Sequence, residues 1–234
     1  MGTSMNGRQE LHEAMLRMPP LIGERLCLDF VNSIEPRGDP YLSQEQRVAQ
    51  RDYLTSYTDF LVWSVHASIM TEEEAWPLLK QASLQASHAE ETFKQIIALR
   101  EELYMLFWKV ASFQVVPEQA LEWLQQSYVD TLSHAQLIKA ERQYIWQWKV
   151  EKEYLASPTW PIMQSALELL TAGDLTRLKL CPGTPGVWMA CSWLFYDESK
   201  NRSRHWCSMT DCGGRAKANR QTARRRIKRK QHQL

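Results

Sequence analysis

Residues 178–217 read LKLCPGTPGVWMACSWLFYDESKNRSRHWCSMTDCGGRAK, and the four cysteines in this stretch decide how the C-terminal part of the chain folds. Cys181, Cys191, Cys207 and Cys212 follow one another as C-x9-C, C-x15-C and C-x4-C. Thiolates are soft donors, and four of them complete a tetrahedron, so the cluster reads as a closed structural zinc site. Iron is the second choice, because thiolates also hold iron–sulfur clusters. Four unrelated buried thiols are the bland alternative. His205, two residues before Cys207, is a candidate replacement ligand, although four cysteines already fill the site. Cys27 stands alone in an apolar segment and reads as a small buried hydrophobe.

The residues around the cysteines predict a hairpin followed by a helix. Leu178–Cys181 and Trp193–Tyr196 have strand character, and Pro182, Gly183, Pro185 and Gly186 between them mark a turn-rich loop. Gly213 follows the last cysteine, and the segment Arg215–Lys230 contains no proline. A helix starting there aims its N-terminal N–H groups at the thiolates. The expectation is a treble-clef-like or ribbon-like module. Such a small unit buries little apolar surface, so metal binding supplies folding free energy. Trp193, Phe195, Tyr196 and Trp206 are expected to fill its core; if exposed, they would offer stacking faces to a single strand.

Outward from the last cysteine the chain becomes basic. Residues 215–230, RAKANRQTARRRIKRK, hold nine Lys or Arg. On a helix, Ala216, Ala223 and Ile227 form a thin apolar seam and the cations cover most of the rest. Residues 1–198 carry a net charge of −10 and residues 199–234 carry +11, which averages to the net +1 of the whole. An acidic body with a basic end points to a polyanionic partner at that end. Arg215, Lys217, Arg220 and Arg224, nearest the metal, are the expected contacts to duplex DNA. Arg225, Arg226, Lys228, Arg229 and Lys230 read as phosphate clamps. The alternative is a solvated tail, or one docked on the acidic body of the same chain.

Upstream, helical patterns dominate. Residues 9–17 suggest a short helix ended by Pro19–Pro20. Leu26–Ser33 is largely apolar, with Asp29 and Asn32 three apart, on one face if helical. Tyr53, Tyr57, Phe60, Leu61 and Val65 recur at helical spacing, Thr71 and Glu74 form a capping-box pattern, and a broad apolar stripe runs from Glu90 to Phe113. Pro117 opens another helix. Trp146, Trp148 and Val150 alternate with polar residues, and Ala135–Lys139 is their expected hairpin partner. Ser157–Pro158 starts a last helix, ended by Gly173. The fold class is therefore mainly α with a small β-hairpin, divided into a mostly helical domain over residues 1–175 and a zinc module over residues 176–234.

The stretch from Cys191 to Asn201, then Arg204–Met209, then Cys212–Lys217, resembles the CGNR zinc finger of bacterial stress-induced transcription regulators. That family pairs the finger with an N-terminal ABATE domain. Leu26–Ser33 resembles the opening motif of that domain and Ala98–Phe107 its central helix. Two departures stand out. Gly214 replaces the family asparagine, which keeps the metal ligand but removes a polar side chain near the helix start. Cys181 and Cys191 are also further apart, as if about five residues were inserted near Pro182–Trp188; a longer loop costs little entropy. The resemblance implies zinc binding and suggests DNA binding; it supplies no catalytic residue.

The function expected from these readings is a zinc-binding, DNA-binding transcription regulator whose N-terminal domain senses an unknown signal or mediates assembly. An RNA-binding or protein-interaction zinc module is the alternative. Asp29 and Asn32 are candidate polar anchors for an effector, although a local cap or turn role is the weightier reading of both. A homodimer suits a DNA regulator, although no heptad supports a coiled coil. An enzyme is not expected. There is no phosphate-cradling glycine loop and no Ser/His/Asp arrangement, and His12, His66, His88 and His134 are scattered over helical segments. A 44% hydrophobic chain with ten Trp has the composition of a globular protein, and no apolar run nears the ~18 residues of a membrane span. Without a signal-peptide layout at the N-terminus, a cytoplasmic location is expected, where disulfides are disfavoured.

Overall fold

The computed structural model describes residues 11–41, 50–148, 154–184 and 190–231, with backbone alone for residues 226–231. Its centre is the short helix α1 (Leu26–Val31), in which Cys27, Leu28, Asp29, Phe30 and Val31 are all buried. With so few polar residues, this helix can only be an interior element. It packs between α4 (Ala86–Ala111) and α6 (Trp160–Ala172).

Local sequence explains most helix limits. Helix α2 (Tyr57–His66) begins at Ser56, whose hydroxyl accepts from the Asp59 amide. Tyr53, expected inside it, instead follows the short strand Arg51–Asp52, because the Ser56 cap sets a later start. Helix α3 (Glu72–Leu84) opens with the expected capping box of Thr71 and Glu74. The long α4 has 26 residues, about 39 Å. Pro117 caps α5 (Glu118–Leu132) from outside rather than occupying its first turn. Residues 157–159 make a 3-10 turn before α6, which stops at Gly173. The short N-terminal helix covers residues 11–15, and the beginning of its expected range lies outside the described residues.

Three antiparallel strand pairs occur among the described residues, where one hairpin was expected upstream of the cysteines and one among them. Strands β1 (Ile34–Glu35) and β2 (Arg51–Asp52) form the unexpected pair. Strands β3 (Ala135–Ala140) and β4 (Gln143–Trp148) form the anticipated hairpin; Val150, assigned to it from sequence, lies outside the described residues. Strands β5 (Leu178–Leu180) and β6 (Leu194–Tyr196) form the third.

The main core is built on an aromatic cluster, with Trp63 5.3 Å from Phe30 and 6.3 Å from Phe60 between ring centroids. Leu103, Phe107, Ile162 and Ala166 close around it. Leu178, Leu194 and Tyr196 belong to this same core, whereas Trp193 and Phe195 pack with Cys181, Cys207 and Cys212 in a second, smaller one. Alternate side chains of a strand face opposite ways, so the chain around β6 serves both cores. Contacts therefore run across the 175/176 division.

Candidate metal centre and basic helix

Each cysteine is placed by local backbone chemistry. Cys181 directly follows β5; its N–H donates to the Trp193 carbonyl at 2.8 Å and its carbonyl accepts from Ser192 N–H at 3.1 Å, which brings Cys191 alongside. Gly183 has φ +69°, and a Cβ there would sit 2.6 Å from the Cys191 nitrogen, so this close approach needs glycine. At the other end, Ser208 caps a π-helical turn (Met209–Gly213) by accepting from Asp211 N–H, and that turn carries Cys212 directly into helix α7 (Gly214–Gln231). Gly214 has helical dihedrals, and a Cβ there would meet nothing closer than 3.4 Å. The backbone at this position thus accepts the family asparagine equally well.

The four sulfurs lie within 4.8 Å of one another, and none is in a disulfide. Cys191–Cys207 and Cys207–Cys212 are 3.7 Å and 3.8 Å apart. A tetrahedron with metal–sulfur bonds of about 2.3 Å has edges of roughly 3.8 Å, so the residues present fit a four-sulfur metal site. Electrostatics agree. Crowding by the other three thiols pushes the ionisation of Cys181 down, and the nearness of Cys181 pushes that of Cys191 up. A divalent cation removes that conflict by neutralising several thiolates at once. His205 lies outside the group and turns its ring edge-on to Trp206.

A shell of polar residues that the sequence did not single out holds the site. Arg204 donates to the carbonyls of Ile22 at 2.7 Å and Cys207 at 2.5 Å, pairs with Glu24 at 3.0 Å, and covers the Phe195 ring. Asp197 is fully buried and accepts from Lys179 Nζ at 2.6 Å, Arg204 N–H at 3.0 Å and Ser199 N–H at 2.9 Å. These donors hold its carboxyl well below the usual carboxylate range despite burial. An Asp two residues before Ser199 is the one local signal of this turn; nothing in its spacing announces the partners from β5 and from the knuckle, the segment 204–213 that carries Cys207 and Cys212.

The helical part clasps the module at several points. Asn32 donates its amide to the Leu194 carbonyl at 2.8 Å and accepts from the Leu194 N–H at 2.9 Å. Trp193 Nε1 donates to the Ile34 carbonyl at 2.6 Å, and Arg37 N–H to the Cys191 carbonyl at 2.8 Å. Tyr104 from α4 reaches the Ser192 carbonyl at 3.1 Å. Asp29 accepts from Gly23 N–H at 2.7 Å, and burial pushes its carboxyl up to about 7. Asp29 and Asn32, read as candidate effector anchors, both spend polar atoms on backbone; the Asp29 contact is local, as the cap-or-turn reading anticipated, whereas that of Asn32 reaches a strand 162 residues away. Two open clefts, of about 610 Å³ beside Trp148 and Trp160 and about 450 Å³ beside Trp123, include neither residue.

Helix α7 leaves the knuckle with Ala216 buried and with Lys217, Arg220, Arg224 and Arg225 exposed. Arg215 is exposed but tied to Asp211 at 2.6 Å. Arg220 lies 5.8 Å from the Trp206 ring. Ala223 is exposed, so the expected apolar seam does not extend past Ala216 as a packed face there. The side chains of Arg226, Ile227, Lys228, Arg229 and Lys230, and the longer loop at residues 185–188, lie outside the described residues. Trp193, Phe195 and Tyr196 are buried and Trp206 is half-buried, which gives these aromatics to the core.

No helix among the described residues is long and apolar enough to cross a membrane. Comparison with curated proteins finds no match. Family comparison matches residues 177–225 to the CGNR zinc finger and residues 24–173 to the ABATE domain. With the cysteine cluster in the first stretch and the helical core in the second, the chain belongs to the ABATE family, described as "Putative stress-induced transcription regulator", and carries a CGNR zinc finger.

Proposed function

We propose that the chain is a zinc-dependent regulator that acts by binding duplex DNA through helix α7, with Cys181, Cys191, Cys207 and Cys212 holding one Zn²⁺ that fixes the start of that helix. The observation that carries the reading is the position of α7. It starts at the fourth cysteine, and after Ala216 its described side chains face solvent. Self-repulsion among nine cations in sixteen residues is relieved by a polyanion, with a gain from counterion release. Eighteen residues give about 27 Å of helix, enough to cross a major groove of about 12 Å. Lys217, Arg220, Arg224 and Arg225 are the contacts in this reading, and Arg215 is the anchor, held by Asp211. Burial of Trp193, Phe195 and Tyr196 supports duplex over single-stranded targets, since it removes the stacking faces that single strands use.

The test is DNA binding by the full-length protein over a salt series, with metal content measured on the same preparation. One zinc per chain is expected. Replacing Arg224 and Arg225 together by Gln should weaken binding to all sequences and flatten the salt slope by roughly 2, about 0.9 per lost phosphate contact. Unchanged affinity in that variant, or stronger binding to RNA than to duplex DNA, would sink the reading.

A further inference from the structure

The β3–β4 hairpin offers a surface that the metal centre and basic helix do not use. Its two strands pair over six residues each, Ala135↔Trp148 to Ala140↔Gln143; β3 lies toward α5, and Trp148 at the end of β4 sits 5.9 Å from the Trp160 ring of α6. Among the described residues, β4 pairs only with β3. Large apolar side chains stand in solvent on it: Tyr144 is 68% exposed, Leu137 57%, Trp146 49% and Ile145 40%. A two-stranded hairpin is at best marginally stable in water, and an unpaired strand edge is a template for another strand.

The chemistry of β4 names the partner. Residues 143–147 read Gln-Tyr-Ile-Trp-Gln, a palindrome of polar, aromatic, aliphatic, aromatic and polar side chains about Ile145. An antiparallel pairing of β4 with a second β4, centred on Ile145, sets Gln143 opposite Gln147, Tyr144 opposite Trp146, and Ile145 opposite itself. Directly opposed residues in an antiparallel pair point to one face, so this register keeps the aromatics together on one side and the two isoleucines on the other. The hydrogen-bond phase agrees. A two-residue hairpin turn closes on a hydrogen-bonded pair, here Ala140 and Gln143, so by alternation Tyr144 and Trp146 direct their amide groups away from β3. Those are the residues that this register bonds to one another. The hairpin's charges also permit it, since Lys139, Glu141 and Arg142 sum to only +1.

We infer that β4 is a homodimerisation strand, and that two copies of this chain join β3–β4 hairpins into one four-stranded sheet with a two-fold axis at Ile145. The inference does not depend on the nucleic-acid reading, because its test contains no nucleic acid. Sedimentation of the full-length protein at about 1–100 μM should give a species of twice the 27.4 kDa chain mass. Ile145→Asp puts two like charges on the axis and should raise the dissociation constant by roughly thirtyfold or more, the size of a hot-spot loss. Because residue 145 lies outside both cores, helical circular dichroism and metal content should stay unchanged in that variant. Ile145→Cys should form a reducible dimer that neither the wild type nor Gln136→Cys forms under the same oxidation. A wild-type monomer at about 100 μM would overturn the inference. So would a dimer indifferent to Ile145→Asp that Ile145→Cys does not cross-link. A monomer whose emission shifts on anionic vesicles, and loses that shift in Trp146→Ala, would assign the face to a lipid surface and overturn it as well.

Discussion

Asn32 illustrates how one side chain can join two parts of a chain. Both ends of its amide are spent on the backbone of Leu194, 162 residues away, in a place only 1% exposed. Asn32→Leu should leave a buried N–H and a buried C=O without partners and cost about 2–4 kcal/mol, read as a lower urea midpoint. Asp29, three residues earlier, has the opposite energetics. Burial raises its carboxyl to about 7, so the folded protein binds a proton that the unfolded chain has released. Stability from this group is full below pH ~4 and is lost as pH rises through 7. Asp29→Asn keeps an acceptor for the Gly23 amide and removes the ionisation. It should therefore exceed the wild type in stability by on the order of 1 kcal/mol at pH 8, with the difference shrinking toward pH 4. Urea titrations of both proteins at several pH values check this, and a constant difference would refute it. Cys27, by contrast, is fully buried with its thiol pushed up to about 12, so it belongs to the packing rather than to any redox chemistry.

At the level of elements, β6 and α7 behave differently. The chain through β6 is gripped from both faces, with Leu194 and Tyr196 in the main core and Trp193 and Phe195 in the cysteine core. Among its described residues, helix α7 is gripped mainly at its start, through the turn Met209–Gly213 that precedes it. A strongly cationic helix in which Ala216 alone is buried among the residues described from 215 to 225 has little tertiary support there, and isolated helices of this length are marginal. Its outer turns should gain amide protection when duplex DNA is added, while β6 stays protected throughout. Hydrogen exchange measured with and without DNA checks this. Equal protection of the outer turns in both states would remove the electrostatic account of α7.

At the level of the whole molecule, the metal site is bound into the fold rather than attached to it. Arg204 ties the knuckle to Ile22 and Glu24, Trp193 is bonded to Ile34, and Tyr104 to Ser192. Metal loss should consequently be felt well beyond the cysteines. Cys212→Ser, or a chelator on the wild type, should lower the unfolding midpoint of the helical core as well, in one cooperative transition. The loss should be at least about 2–3 kcal/mol by urea denaturation followed at 222 nm. A core that unfolds at its wild-type midpoint, after a separate loss of the cysteine module, would show two independent units.

Sequence by itself determined whatever depends on neighbours along the chain or on side-chain chemistry. The capping box of Thr71 and Glu74, the apolar stripe of α4, the alternation in β4 and the hairpin around the cysteines are local patterns with one good solution each. Four clustered thiols announce a metal site before any fold is known, and the sixteen-residue basic run raises the expectation of an anionic partner in the same way. Only the tertiary structure decided who holds whom. Nothing near Asn32 marks Leu194 as its partner, and nothing in the spacing of Asp197, Lys179 and Arg204 marks them as one buried network. It also set the short β1–β2 pair and released Ala223 to solvent. The physical reason is that polar atoms buried by folding must find partners wherever the packed backbone offers them, and those partners are set by distance in space rather than along the chain.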